Sequence, residues 1–393
     1  MALTKVSTAV VDMSGNTGAL EIAKGTTTER SAISSPAIGL LRSNTTDNTM
    51  EVYTNNSGTP GWKVLKEGGN AIVIPLTVDY LVIAGGGGGG PGFQAAGGGA
   101  GGFRTSFGTG NINGGLTAVE STLTLAVATS YTVTIGAPGA GGAGSNPSAG
   151  RGATGSSSFF SDGNTTFEIL TIGGGGGASY NNYGQGGLSN SGSPGGSGGG
   201  AAPYNAAIGV GNGGIRVTTP VQGFNGGNAT NYLDPYFGGG GGGAGGVGQE
   251  ANGANTGNGG VGLQSSITGS STFYAAGGAG GAYYSYLGGP NAAASGIGGS
   301  GAAASGARGG VGFTAPGNGT VNTGSGGGGG GENGQVGGNG GSGVVILRYP
   351  DAYETAISSG GGLVNQVDST TVSGYKIEKI TAGSGTITFS LTP

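Results

Sequence analysis

The chemistry open to this chain is limited by what it lacks. Its 393 residues contain no histidine and no cysteine, which removes thiolate nucleophiles, disulfides and the commonest metal ligand together. The remaining route to acid–base work is a pair of carboxylates, as used to cleave glycosidic bonds. Asp162 with Glu168 and Asp351 with Glu354 are the candidates. Both fall at expected strand ends or turns, where a carboxylate is ordinarily just solvated, so the expectation is a non-enzymatic chain with no cofactor and no metal site. The glycine runs offer G-x-x-x-x-G at many offsets, yet no Lys-Ser or Lys-Thr follows, so they are not phosphate loops. Calcium repeats of the G-G-x-G-x-D kind fail at Asn339-Gly-Gly-Ser342, which has no aspartate. Glycosylation sequons at Asn44, Asn55, Asn164 and Asn228 are what chance supplies in a chain rich in Asn and Thr.

Binding chemistry is better represented. Tyrosines come in clusters among Asn, Ser and Gly: Tyr180 and Tyr183, Tyr204, Tyr232 and Tyr236, then Tyr283, Tyr284 and Tyr286. Rigid rings over flexible hydrogen bonders make adaptable recognition loops. The same rings could instead staple the fold, since aromatics supply most of the apolar area in a stretch poor in Leu and Ile. Both readings stay open. Charge excludes other partners: 17 acidic against 13 basic residues give a net charge of -4, so nothing calls for nucleic acid or an anionic membrane. Lysine is absent from Glu67 to Tyr375, leaving Arg104, Arg151, Arg216, Arg308 and Arg348, too sparse to track phosphates. No stretch reaches eighteen apolar residues, so no membrane insertion is expected. The amino terminus lacks an apolar core followed by a cleavage site, so synthesis without a signal peptide is expected, with release by lysis in a virus particle as one way out.

What must position these groups is glycine. The chain has 104 of them, with runs at Gly85–Gly90, Gly173–Gly177, Gly238–Gly243 and Gly326–Gly331. Three runs directly follow an apolar or aromatic stretch, so they begin where a strand or packed ring ends. A glycine run is neither a stable helix nor a good strand. It can be an extended three-residue helix whose backbone groups all point outward. Beside others of its kind, with no side chains between them, such a helix can exchange hydrogen bonds sideways, giving a polyglycine II lattice. Ordering a residue costs about 1–2 kcal/mol while a net hydrogen bond returns only about 0.5–1.5. A scaffold must therefore bring the runs together.

The scaffold reads as all-β. Residues 1–70 hold four of the six lysines, the single Trp and short strand-like pieces at Leu3–Asp12, Ala19–Ala23, Ile38–Arg42, Met50–Tyr53 and Trp62–Leu65. They form a small β module expected to pack on partners or on copies of itself. Residues 71–350 alternate strand and glycine run. An antiparallel β-sandwich is expected from residues 71–172 and 343–349, carrying an inserted polyglycine II helix bundle at 173–341. Residues 351–393 regain ordinary composition, and Tyr375–Thr381 and Thr386–Leu391 alternate around Gly383-Ser-Gly385 as a C-terminal β-hairpin unit.

Two resemblances sharpen this. The string Gly25-Thr-Thr-Thr-Glu-Arg30, Pro36-Ala-Ile-Gly39, Arg42-Ser-Asn-Thr-Thr46, Met50-Glu-Val-Tyr53 and Gly61-Trp-Lys63 resembles a module of bacteriophage tail-fibre and appendage proteins, marine ones especially, with Ser43 where that pattern has an aromatic. The strings V-D-Y-L-V-I-A-G-G-G and S-G-V-V-I-L-R-Y-P are similar to those of glycine-rich domains in phage and environmental bacterial proteins and, more distantly, to the glycine-rich domain of the anaplastic lymphoma kinase receptor. The resemblance implies a virion tail-fibre or adhesin subunit, homotrimeric, joined to other tail proteins through the module that contains Arg30, Arg42, Tyr53 and Trp62. Its aromatic loops would touch a host surface glycan or outer-membrane protein. The alternative is a subunit of a virion-surface or extracellular fibril that recognises nothing.

Overall fold

A computed structural model describes residues 24–36, 39–54, 61–67, 70–71, 76–110, 112–143, 150–163, 166–179, 190–203, 211–230, 236–252, 255–283, 297–299, 315–331, 335–358 and 361–391. It divides into two compact units, Met1–Pro75 with Leu391–Pro393, and Leu76–Ser390.

In the first unit Leu41–Asn44, Thr49–Thr54 and Gly61–Val64 form an antiparallel meander, and Lys24–Gly25 adds a parallel edge. The pieces expected at Leu3–Asp12 and Ala19–Ala23 lie outside the described residues. The Gly-Thr-Thr-Thr-Glu-Arg string starts a helix, Thr27–Ser31, through a capping box. Glu29 N donates to Thr26 Oγ1 at 3.1 Å and Thr26 N donates to Glu29 Oε2 at 2.7 Å, which satisfies two of the amides that a helix start leaves open.

The second unit is built on two antiparallel sheets. One has the order Val364–Asp368, Tyr375–Ala382, Val344–Pro350, Leu76–Ile83, Phe103–Thr105, with Leu123–Leu125 also paired to Leu76–Ile83. Its central strands are near-continuous apolar runs, and Leu81–Ile83 and Val344–Leu347 are fully buried. The other sheet has the order Glu168–Thr171, Ser158–Ser161, Ser130–Thr134, Ser384–Leu391, Tyr353–Ile357. Tyr349 of the first meets Phe389 of the second edge to face at 5.2 Å, and Ser158 Oγ donates to Ile83 O at 2.8 Å.

The expected C-terminal hairpin is not formed. Tyr375–Ala382 pairs with Val344–Pro350 in one sheet, whereas Ser384–Leu391 pairs with Ser130–Thr134 in the other. Only Gly383 lies between the two strands, at φ 87°, and the commonest tight hairpins need a two-residue loop. Alternation reports that a strand is half-buried but not which strand it pairs with.

Between these strands the chain runs out from the sheets and back in glycine-rich segments bonded sideways. The amides of Gly85 and Gly88 donate to Ser156 and Ala153, those of Gly86 and Gly89 to Gly341 and Gly338, and those of Gly87 and Gly90 to Gly99 and Ala96. Their carbonyls accept with the same three-residue period: Gly174 and Gly177 donate to Gly85 and Gly88, Gly139 and Gly142 to Gly86 and Gly89, Gly327 and Gly330 to Gly87 and Gly90. All twelve bonds are 2.8–3.0 Å, so the segment is enclosed by six neighbours with no backbone group left over. Segments 95–100 and 238–244 are enclosed in the same way.

The sideways bonding is not confined to 173–341, for it also takes in 84–102, 136–142 and 152–156. The backbones are too close for side chains. A Cβ placed on Gly88 would sit 2.0 Å from Ala140 O, and one on Gly87 2.2 Å from Gly175 O. Alanine enters where methyl groups can meet each other, as Ala96, Ala178 and Ala202 do. At the margins carboxamides replace peptides. Asn339 Oδ1 accepts from Gly141 N at 2.8 Å and Asn228 Oδ1 from Gly213 N at 2.9 Å. Buried Gln222 takes Ile172 N at 2.8 Å and gives to Leu170 O at 3.0 Å, as a neighbouring backbone would.

Candidate functional site

The end of the array remote from the sheets gathers the recognition candidates that the structure describes. Segment 84–90 leaves the sheet at Ile83 and turns back through Pro91–Gln94. Around that turn Gly90 N bonds Ala96 O, Ala96 N bonds Ala178 O, Ala178 N bonds Gly200 O, Gly281 N bonds Ala95 O and Ala95 N bonds Gly330 O. Residues 90, 95–96, 178, 200, 281 and 330 therefore sit at one level. From this end the chain continues into 180–189, 204–210, 284–296 and 332–334, and it re-enters from 231–235.

Two short strands mark the same end. Tyr236–Phe237 pairs antiparallel with Ala282–Tyr283, with Tyr236 opposite Tyr283. Successive side chains point to opposite faces, so Phe237 is fully buried among Ala201, Ala229, Ala251 and Ala282 while Tyr236 and Tyr283 are half-exposed. The Phe93 ring, from the 91–94 turn, meets Tyr283 at 4.4 Å and 63°. Phe237 thus has a packing role, and Tyr236 and Tyr283 lie on the other face of the pair. Tyr180, Tyr183, Tyr204, Tyr232, Tyr284 and Tyr286 lie outside the described residues.

The four residues assigned to the attachment module are brought together, around a carboxylate the sequence reading passed over. Arg30 Nη1 lies 2.6 Å from Glu51 Oε1 and Arg42 Nη1 3.3 Å from Glu51 Oε2, with the Arg42 and Glu51 side chains 4% and 2% exposed. Asn44 Nδ2 donates to Glu51 Oε1 at 3.0 Å. The Arg42 guanidinium stands 5.5 Å over the Trp62 ring, which meets Tyr53 edge-on at 5.4 Å. The signal that could have found Glu51 is the alternation in Thr49–Thr54, which puts it on the same strand face as Tyr53. That face holds the helix and Trp62, so each of the four residues has a packing role.

The carboxylates proposed for acid–base work lie at strand ends and turns. Asp162 and Glu168 flank the turn between Ser158–Ser161 and Glu168–Thr171, and Glu168 is exposed. Asp351 is exposed in a turn, and Glu354 accepts from Ser390 Oγ at 3.4 Å. The most perturbed titrating cluster is elsewhere. Burial pushes the Glu120 carboxyl up, but Arg104, bonded at 2.6 and 2.8 Å, together with Tyr80 and Asn113 holds it below the usual glutamate value. Burial and the Glu120 charge push the Tyr80 phenol up. These groups saturate one another and tie Leu76–Ile83 to Phe103–Thr105.

Residues 65–350, well over half the chain, match the family of glycine-rich domains. The chain belongs to that family. No curated protein matches it. The matched span begins just before Leu76–Ile83 and ends with Val344–Pro350. The glycine-rich domain is thus bounded by the two central strands of one sheet, with its hydrogen-bonded segments between them. Two strands that complete those sheets, Tyr375–Ala382 and Ser384–Leu391, lie beyond the matched span.

Proposed function

We propose that the chain is a non-enzymatic subunit of a virion tail fibre or adhesin, a homotrimer that projects from the particle and touches the host surface. On this reading the two sheets form a sandwich, and the array is a polyglycine II helix bundle, stiff because every enclosed peptide group is bonded on both sides. The module containing Arg30, Arg42, Tyr53 and Trp62 joins the other tail proteins. The observation that supports the reading is the cluster of Phe93, Tyr236 and Tyr283 at one end of the array. A rigid scaffold that carries binding residues at one end is how they are ordinarily displayed. Their target is a surface glycan or an outer-membrane protein, and modest single-site affinity is raised by several fibres acting together.

The test is adsorption competition. Purified chain should block attachment of the parent particle to its host, and a chain with residues 204–210 and 284–296 replaced by short Gly-Ser links should stay folded and fail to block. If the shortened chain instead blocks as well as the original, the receptor reading is wrong. If it loses only the ability to assemble, the chain is a fibril subunit.

A further inference from the structure

The opposite end of the array, against the sheets, holds a pocket of about 290 Å³, near the lower bound of the ~300–1,000 Å³ usual for small-molecule sites. Its floor is one face of two paired strands. Gln366 lies directly opposite Lys379, and Asp368 opposite Ile377, so the four side chains point the same way. Its walls are the strand residue Thr272 and the turn residues Val321 and Asn322. The floor is fixed from beneath: buried Glu378 accepts from Thr355 Oγ1 and Asn365 Nδ2, clamping the edge strand to its neighbour.

The polar groups are pre-arranged. Asp368 Oδ1 accepts from Thr370 N at 2.8 Å, Thr371 N at 3.0 Å and Thr370 Oγ1 at 3.1 Å, so the acceptor capacity left to a ligand lies on Oδ2. Together with the Thr371 hydroxyl on Oδ2, these bonds hold its carboxyl well below the usual aspartate value, so it is an ionised acceptor in a set position. The Lys379 ammonium makes no ion pair among the described residues. Asn322 Oδ1 accepts from Ser342 Oγ at 2.9 Å, so the amide nitrogen is the part of this side chain left to bond a ligand. Beside these donors and acceptors, Ile377 and Val321 offer an apolar wall.

We propose that this pocket binds one neutral sugar residue, with its C–H face on Ile377 and Val321 and its hydroxyls shared between Asp368, Lys379, Gln366 and Asn322. One carboxylate and one ammonium cancel, so a phosphate or sulfate meets Asp368 and a cation meets Lys379. A polyol satisfies both, because each hydroxyl gives and takes a hydrogen bond. The site lies six residues of extended chain, roughly 19 Å, from the Phe93–Tyr283 end, and it does not rest on the attachment reading.

The test is saturation-transfer NMR on the intact chain with the methyl α-glycosides of glucose, galactose, mannose and N-acetylglucosamine, each also run as the free sugar. At least one methyl glycoside should receive magnetisation. Gln366→Ala and Lys379→Met should each weaken that binding about fivefold, the equivalent of one hydrogen bond, with an unchanged melting temperature. Tyr236→Ala should leave it intact. Preference for the free sugar over the glycoside assigns the pocket to a monosaccharide, and the reverse to a glycan end. The proposal is overturned if no sugar receives magnetisation, if the signal survives both pocket variants, or if inorganic sulfate displaces the sugar.

Discussion

The two units of this protein bury polar groups by opposite means. Among the described residues of the amino-terminal unit, the buried side chains are Arg42, Ser43, Asn44, Asn48, Thr49 and Glu51, while Ile33, Leu40 and Leu41 are exposed. Its interior is a charge cluster held by specific side chains. In the glycine-rich unit the enclosed segments bury almost nothing but backbone, and each peptide group is satisfied by another. The contrast teaches where each unit is vulnerable. The first depends on which side chains are present, and the second on side chains being absent.

That difference can be broken from either side. Trp62, the one tryptophan, reports on the first unit, and far-ultraviolet circular dichroism is dominated by the second. The largest effect is expected from Glu51→Leu, which strands the buried Arg42 guanidinium and removes the partner of the partly exposed Arg30, and should cost the first unit about 3–5 kcal/mol. In denaturant titrations the tryptophan transition should move and the dichroism transition should not. Gly88→Ala is the mirror experiment. Its methyl meets a carbonyl oxygen at 2.0 Å inside a segment that cannot dilate without stretching bonds to six neighbours. A loss of about 2–3 kcal/mol, the upper part of the usual range for overpacking, should appear in the dichroism transition alone. Gln222→Leu keeps the volume but leaves buried Ile172 N without its acceptor, while Leu170 O keeps the bond from Arg104 Nη1, and should cost the same unit about 1–2 kcal/mol. Smallest is Gly150→Ala, where a Cβ meets nothing within 4 Å. Its effect should stay within about 0.5 kcal/mol, which would show that glycine is required by enclosure and not by composition.

How much of this could be read beforehand follows the range of each interaction. Leu76–Ile83, Ser130–Thr134 and Val344–Pro350 announce themselves by local apolar pattern, as do glycine runs that begin where strands end. The partners of Tyr375–Ala382 and Ser384–Leu391 were not legible, because a period of two marks a half-buried strand and not its partner, whether that partner is nearby, as Val344–Pro350 is, or about 250 residues away, as Ser130–Thr134 is. Asn228 read as a chance sequon and Asn339 as part of a failed calcium repeat, yet they complete the hydrogen bonds of Gly213 and Gly141, a role fixed only by tertiary placement. Glu51 looked like one carboxylate among many until Arg30 and Arg42 were brought to it. Of the recognition candidates, the sequence marked Tyr236 and Tyr283 but passed over Phe93, which carries no tyrosine neighbours in the chain.

The central claim is that glycine backbones bonded to one another form the body of the second unit. Native-state hydrogen exchange resolved at Gly85–Gly90 tests it most directly. Six consecutive amides should be protected together, opening only with global unfolding of the unit. Exchange of those amides at the rate of an unstructured glycine peptide, while Leu81–Ile83 beside them stays protected, would contradict it.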